Sequence, residues 1–191
     1  MKKIFILLAS AFLYTAASAQ TTWTVDKAHS NVKFTVTHLL VNDVDGTFKG
    51  YDGTITATKP DFSDAKVAFT VQTATVSTDN DMRDKHLSGP DFFDVAKYPT
   101  LSFTSTGITK TSDKHYKLVG NLTLAGVSKP ATFDLWYRGT ITNPMSKADD
   151  AGFQITGTIK RTDFNFGSKF GPAMLSDEVT IKANGEFAKA K

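Results

Sequence analysis

The side chains best suited to acid–base chemistry in this chain are its four histidines, His29, His38, His86 and His115. His38 continues an apolar–polar alternation, so we expect it to face the interior near the end of a strand. His86 follows Asp84 by two residues in a charged segment. A histidine that is oriented by a carboxylate can act as a general base. An enzyme that uses His38 or His86 is therefore one functional hypothesis.

Sequence motifs of the common enzyme classes are absent. The chain has no Gly-x-Ser-x-Gly nucleophile motif, no phosphate-binding Gly-rich loop, no Gly-x-Gly-x-x-Gly turn and no His-Glu-x-x-His helix. It has no cysteine, which excludes disulfides, thiol catalysis and cysteine–metal sites. We therefore predict that the protein is not an enzyme and needs no cofactor. A hydrolase that acts through His38 or His86 is the alternative.

A metal site would require three such ligands to converge. His29 is out of phase with His38, and His86 is distant from both in the sequence. The simpler interpretation is an inward histidine that is hydrogen-bonded to a carbonyl or a carboxylate. We predict no metal site.

Arg161 is a charged residue in the inward register of an apolar segment, where a charge needs a partner. It could reach the rim of the fold, or pair with Asp84 or Asp163. Alternatively, Arg161 could bind the polar head of a ligand whose apolar tail fills the interior, together with Arg83, His38 or His86.

The elements that must position these side chains are strands. Apolar and polar residues alternate with a period of two in segments that are separated by turn-rich stretches. These segments are Ser30–Leu40, Tyr51–Thr58, Val67–Val71, Thr100–Ser105, Leu118–Leu124, Ala131–Tyr137, Phe153–Ile159 and Val179–Phe187. The pattern predicts an all-β antiparallel fold of about eight strands.

Either a closed barrel or a two-sheet sandwich could be built from such strands. Gly120, Gly157 and Gly185 lie in the inward phase, which favours a barrel, because glycine leaves room inside a curved wall. Between the strands, the sequence predicts a helical insert near residues 79–96. It comprises a helix from about Asp79 to Leu87 and another helical turn near Asp91–Ala96.

The first nineteen residues have the organisation of a secretory signal peptide. Lys2 and Lys3 precede an apolar run, Ile4–Leu13, and an Ala-x-Ala cleavage site at residues 17–19. The apolar run has ten residues, against about 20 needed to span a bilayer. We expect export to the periplasm, no stable membrane insertion, and one mature domain over residues 20–191.

The charge of that domain is nearly balanced. Without Lys2 and Lys3, 20 basic residues face 19 acidic ones, and no run of five basic residues occurs. The sequence therefore gives no indication of a nucleic-acid partner.

Several short motifs, in their order and spacing, identify a family. They are the opening Trp-x-Val-Asp-x-x-His-Ser-x-Val-x-Phe-x-Val-x-His at residues 23–38, Gly46–Phe48, Asp81–Leu87, Asp91–Asp94, Lys97–Pro99, Gly120–Thr123, Gly126–Pro130 and Arg161–Phe164. On these residues the chain resembles the YceI-like proteins, a lipid- or polyisoprenoid-binding family with a lipocalin-like barrel. The resemblance extends from Trp23 to about Phe187.

This resemblance implies an extended eight-stranded antiparallel barrel that the helical insert caps. The barrel would enclose a long-chain isoprenoid or another amphiphilic lipid, such as a prenylated quinone. The expected ligand-binding residues are Phe34, His38, Phe48, Arg83, His86, Phe92, Phe93, Phe103, Leu122, Phe153, Arg161 and Phe164.

Three functions remain open at this point: a periplasmic lipid carrier or buffer, an enzyme acting on an isoprenoid lipid, and a protein that sequesters apolar compounds without one cognate ligand. A homodimer is a further hypothesis, in which an exposed barrel edge near Lys182–Lys191 pairs with a second chain.

Overall fold

The computed structural model describes residues 19–190, so the predicted signal peptide lies outside the described residues except for its last position. The described part contains ten strands, one α-helix and two 3₁₀ turns. The strands are β1 (Thr21–His38), β2 (Asn42–Phe48), β3 (Tyr51–Ala57), β4 (Lys66–Gln72), β5 (Val76–Ser77), β6 (Thr100–Ser112), β7 (His115–Leu124), β8 (Val127–Thr142), β9 (Asp149–Lys160) and β10 (Leu175–Lys189). Helix α1 is Asp81–Leu87, and the 3₁₀ turns are Thr73–Thr75 and Arg161–Phe164.

The ten strands form a closed antiparallel barrel with eight positions, which confirms the predicted fold. Strand β1 pairs with β3 through Thr21–Thr24 and with β2 through Val32–His38, so β2 and β3 share one position. Strand β5 extends the position of β4 and pairs with β2. The barrel closes because β10 pairs with both β9 and β1.

Besides the two-residue strand β5, strand β2 is an element that the sequence pattern did not predict. It contains Asn42, Asp43 and Gly46, which have low β propensity. Its partner β1 imposes the extended conformation along seven paired residues, Asn42–Phe48.

The hypothesis of an exposed barrel edge near Lys182–Lys191 was wrong. Strand β10 is hydrogen-bonded to β1 on one side and to β9 on the other. Its backbone groups are thus already paired within the chain, and a second chain cannot add to them.

The helical insert begins two residues later than predicted. Asn80 caps α1, and its side-chain oxygen accepts a hydrogen bond from the backbone N–H of Arg83 at 3.0 Å. The helix ends at Leu87, as predicted. The following Asp91–Ala96 segment forms hydrogen-bonded turns rather than a regular helix.

Glycines in the wall lie beneath phenylalanine rings. Phe34 is paired with Gly46 across β1 and β2, and Phe69 with Gly53 across β3 and β4. A Cβ at Gly46 would lie 2.1 Å from the Phe34 ring, and one at Gly53 would lie 2.4 Å from the Phe69 ring. The room that glycine leaves is therefore occupied by rings that cover the neighbouring strand, a packing that stabilises glycine-containing sheets.

The backbone of the turn between β1 and β2 is strained. Leu39 and Leu40 have φ of 51° and 60°, and the Val41 N–H donates to the His38 carbonyl at 3.2 Å. Two consecutive left-handed residues define a hairpin turn in which Asn-Gly is preferred. For other residues the left-handed conformation costs about 1–2 kcal/mol each.

Replacing the two leucines with the favoured dipeptide, Leu39→Asn with Leu40→Gly, should raise the free energy of unfolding by about 1–2 kcal/mol. Urea denaturation followed by circular dichroism measures the change. Val41→Asn is the matched control, because Val41 is 83% exposed in the same turn and lacks a positive φ. Equal or lower stability of the double variant would contradict the interpretation.

Candidate ligand-binding cavity

The barrel encloses a cavity of about 420 Å³. Ligand pockets in proteins typically measure roughly 300–1,000 Å³, so the space is large enough for a small molecule or part of a chain. Its wall is formed by inward side chains of the strands, among them Phe34, Phe69, Phe103, Phe133, Ile155 and Ile181. The interior is therefore apolar and incompletely filled by the protein's own side chains.

One end of the cavity is closed by aromatic packing. Phe62, from the connection between β3 and β4, is 2% exposed, and its ring centroid lies 5.0 Å from that of Phe153. Phe153 lines the cavity, whereas Phe62 lies behind it. The apolar core is continuous here with the residues that bound the cavity.

The opposite end carries an arginine and two histidines. Helix α1 contributes Arg83 and His86 to the cavity lining, and the end of β1 contributes His38. The His86 ring lies edge-on to the rings of Phe92 and Phe170, at centroid distances of 5.1 and 5.8 Å. The helical insert thus lies over this end, which we call the mouth of the cavity.

Arg83 has hydrogen-bond donors to spare at the mouth. Its Nε donates to Thr78 Oγ1 at 2.8 Å, and its Nη2 donates to the Thr78 carbonyl at 2.8 Å. Within residues 19–190, its Nη1 makes no hydrogen bond and none of the ion pairs includes it. The guanidinium is thus anchored on one side and available on the other.

Arg161 differs from Arg83 in its burial, in its hydrogen-bond partners and in the number of its free donors. It is 1% exposed, and its guanidinium donates only to backbone carbonyls. The Nε donates to Ser176 at 2.9 Å, Nη1 to Phe166 at 3.1 Å and Gly167 at 2.6 Å, and Nη2 to Leu175 at 2.9 Å and to Phe170. Five acceptors match the five N–H donors of a guanidinium.

This geometry contradicts two of the three interpretations of Arg161. The side chain does not reach solvent at the rim, and none of the ion pairs among the described residues joins it to Asp84 or Asp163. The third interpretation, contact with a ligand's head group, stays a prediction, and all five N–H donors are engaged by backbone carbonyls. Burial lowers the pKa of Arg161, and the Asp177 carboxylate opposes that shift. The residue holds the segment from Phe166 to Ser176 in place.

Eleven of the twelve expected binding residues lie on the cavity wall. They are Phe34, His38, Phe48, Arg83, His86, Phe92, Phe93, Phe103, Leu122, Phe153 and Arg161. Phe164 is the exception, since it is 3% exposed and packs in the core away from the lining. That these residues contact a ligand remains a prediction.

Two residues at the mouth carried no sequence signal. Phe170 and Met174 line the cavity from the irregular segment before β10. Such a segment has no periodicity, so its inward side chains cannot be recognised from a pattern.

Asp84 does not orient His86 in the part of the chain that the structure describes. Asp84 Oδ1 accepts hydrogen bonds from the Thr78 N–H at 2.8 Å and from the Thr78 hydroxyl at 2.6 Å, and no hydrogen bond to His86 is found among the described residues. His115 stacks on Trp136, outside the cavity lining. The proposed base thus lacks its orienting carboxylate.

Elsewhere, Asp26, His29 and Glu186 bring one potential ligand atom each within 4.8 Å of one another. His29 Nδ1 lies 2.7 Å from Asp26 Oδ2. This hydrogen bond raises the pKa of His29 and lowers that of Asp26. His29 and Asp26 are thus already hydrogen-bonded to each other, and the absence of a metal site stays a prediction.

No helix within residues 19–190 combines the length and the apolarity that crossing a membrane requires.

Comparisons with known proteins agree with this architecture. The profile of the YceI-like domain matches residues 23–187. Protein YceI of Salmonella newport is 38% identical over 180 residues, which cover 93% of each chain. The crystal structure of the Campylobacter jejuni YceI protein superposes with a TM-score of 0.74 at 35% identity, over 87% of this chain and 96% of that one.

A more distant structure shares the fold alone. A polyisoprenoid-binding domain from Saccharophagus degradans, implicated in plant cell wall breakdown, has a TM-score of 0.68 at 16% identity and covers 88% of this chain and 98% of its own. The matching profile spans most of the chain, and the sequence relatives span nearly all of it. The chain therefore belongs to the YceI-like family.

Proposed function

We propose that the protein binds one long-chain amphiphilic lipid, of the isoprenoid class, inside its barrel and acts in the periplasm as a carrier or buffer for that lipid. The observation that carries the proposal is the cavity, with apolar walls, an aromatic closed end and the cationic side chain of Arg83 at its mouth. A ligand that fits this distribution has a long apolar tail and a polar head. The similarly folded polyisoprenoid-binding domain of Saccharophagus degradans is the precedent for this class of ligand.

The tail alone can supply the binding energy. Burial of one methylene contributes about 0.8 kcal/mol, so ten buried carbons contribute roughly 8 kcal/mol before the entropic costs of binding. Such binding needs no polar motif, which accounts for the absence of recognisable motifs in the sequence.

The head group is assigned to the mouth. Arg83 offers free N–H donors, and His38 and His86 flank the opening. Arg161 is not assigned a head-group contact, because its five donors are engaged by carbonyls.

Native mass spectrometry of the mature protein, purified from its exported form without detergent, tests the proposal directly. Organic extraction then identifies what is bound. One long-chain prenyl species, retained at one copy per chain, is the expected result. A mixture of unrelated apolar compounds would favour a sequestering protein without a cognate ligand. An empty protein that takes up neither added prenyl quinone nor prenyl phosphate would contradict both.

Arg83→Gln is predicted to weaken prenyl phosphate binding more than prenyl quinone binding. A hydrogen bond to a charged group contributes about 1.5–3 kcal/mol, which corresponds to roughly a 10- to 100-fold loss for the phosphate. Titration of both ligands measures the ratio. Lys85→Gln is the control, because Lys85 is exposed on the same helix but does not line the cavity. Equal losses for both ligands would remove Arg83 from head-group recognition.

A further inference from the structure

The connection between β3 and β4 is built to hold one aromatic ring inside the barrel. Phe62 has φ of 58°, and its backbone N–H donates to the Lys59 carbonyl at 3.1 Å. Its own carbonyl accepts from the Ala65 N–H at 3.0 Å. A large residue in the left-handed region is uncommon, so the local backbone conformation is maintained by the packing of this side chain.

Side chains on both sides fasten the same connection. The Tyr116 hydroxyl donates to the Asp61 carbonyl at 2.5 Å. The Asp64 carboxylate accepts from the backbone N–H groups of Thr58 and Lys59, at 3.0 and 3.1 Å. The connection is thus a fixed plug, anchored to the barrel wall and to its own ends.

The Phe62 ring is the centre of the aromatic packing that closes the cavity. Its centroid lies 5.3 Å from Trp23, 5.0 Å from Tyr137 and 5.0 Å from Phe153. Phe153 also packs against Phe187 at 5.7 Å, and these two residues line the cavity. Phe62, Trp23 and Tyr137 do not line it. Phe62 therefore lies between the solvent-facing connection and Phe153, and Phe153 separates Phe62 from the cavity.

We infer that Phe62, through Phe153, sets the maximum length of the apolar chain that the cavity accepts. The inference rests on the proposed function. At the closed end the tail meets the rings of Phe153 and Phe187, and the amides of Asn31 and Asn184, which also line the cavity nearby, are hydrogen-bonded to each other. The rings block the path of the tail, so we expect steric contact with them to limit chain length. A chain that is longer by one isoprene unit must leave the corresponding carbons at the mouth, where they gain no burial.

Phe62 is the residue to change because it supports the cavity floor without forming it. Truncation of Phe153 would remove wall contacts from every ligand. Truncation of Phe62 leaves the wall intact and gives Phe153 space to retreat. The length limit should then move while the affinity for short chains stays nearly constant.

The experiment measures the affinity of the mature protein for a series of prenylated quinones that differ by one isoprene unit. For the wild type, affinity should rise with chain length up to a limit and then stop rising. Phe62→Ala should extend that limit by at least one unit and improve the relative affinity for the first longer quinone about tenfold. Phe62→Leu, which retains more of the core packing, should give a smaller shift in the same direction.

Phe164→Leu is the matched control, since Phe164 is a similarly buried phenylalanine that is not among the residues lining the cavity and, within residues 19–190, forms no ring pair with Phe62. It should leave the limit unchanged. An unchanged limit in folded Phe62→Leu, or an equal shift in Phe164→Leu, overturns the inference while the proposed function stands. A wild-type protein that binds none of the quinones overturns the proposed function and this inference with it.

Discussion

Replacing Arg161 with methionine should lower the free energy of unfolding by about 3–5 kcal/mol, because a buried set of carbonyls loses its donors. Methionine fills similar volume but donates no hydrogen bond. The carbonyls of Phe166, Gly167, Phe170, Leu175 and Ser176 would then remain in the interior without the cation. Lysine should rescue little, since an ammonium offers three donors from one point and cannot reproduce the planar fork of a guanidinium.

Urea denaturation measures the loss, and amide hydrogen exchange should show that it begins between residues 166 and 176. Arg138→Met is the control. Arg138 is exposed, and its guanidinium lies 4.0 Å from the centroid of the Trp136 ring, an interaction of about 0.5–1 kcal/mol at such a site. A fully stable Arg161→Met variant that binds prenyl phosphate poorly would return Arg161 to the head-group site.

Filling the lumen should abolish lipid binding without unfolding the barrel. Ala183 lines the cavity from β10, in register with Val32 on one side and Ile155 on the other. In Ala183→Phe, the new ring occupies space that the tail would otherwise fill. Because each displaced methylene is worth about 0.8 kcal/mol, loss of contact with four carbons corresponds to a decrease in affinity of about 100-fold or more.

The lumen is already open, so the added ring should cost less stability than overpacking of a filled core, which costs about 1–3 kcal/mol. Titration with a prenylated quinone measures binding, and thermal denaturation confirms folding. Lys182→Phe adds the same ring one residue earlier, at an exposed position on the outer face. Retention of affinity in Ala183→Phe would show that the lipid does not occupy the lumen.

The fold was largely predictable because alternation with a period of two is a property of side chains, which the sequence contains. Each of the eight predicted segments falls on a strand of the barrel. Strand β2 escaped prediction because its pairing with β1, rather than its own composition, makes it extended. The same alternation predicted that the Arg161 side chain points inward.

The partners of Arg161 could not be predicted, because they are backbone carbonyls, which every residue has. The inward position of Phe62 could not be predicted either. It follows Lys59-Pro60-Asp61, which predicts a turn, and turn composition does not show whether the next side chain enters the barrel. The mouth was harder to predict than the wall, since Phe170 and Met174 lie in an irregular segment.

Because Arg161 binds backbone carbonyls, the amino-acid sequence of the rim can vary among related chains. A guanidinium that binds main-chain oxygens constrains the path of the segment from Phe166 to Ser176 but not the identity of most side chains along it. Gly167 is an exception, because its φ is 60° and a Cβ there would lie 2.7 Å from the Phe92 ring. Most other positions can be exchanged while the loop keeps its course. The barrel can therefore acquire a new head-group preference through substitutions at its rim, with the lumen and the closed end unchanged.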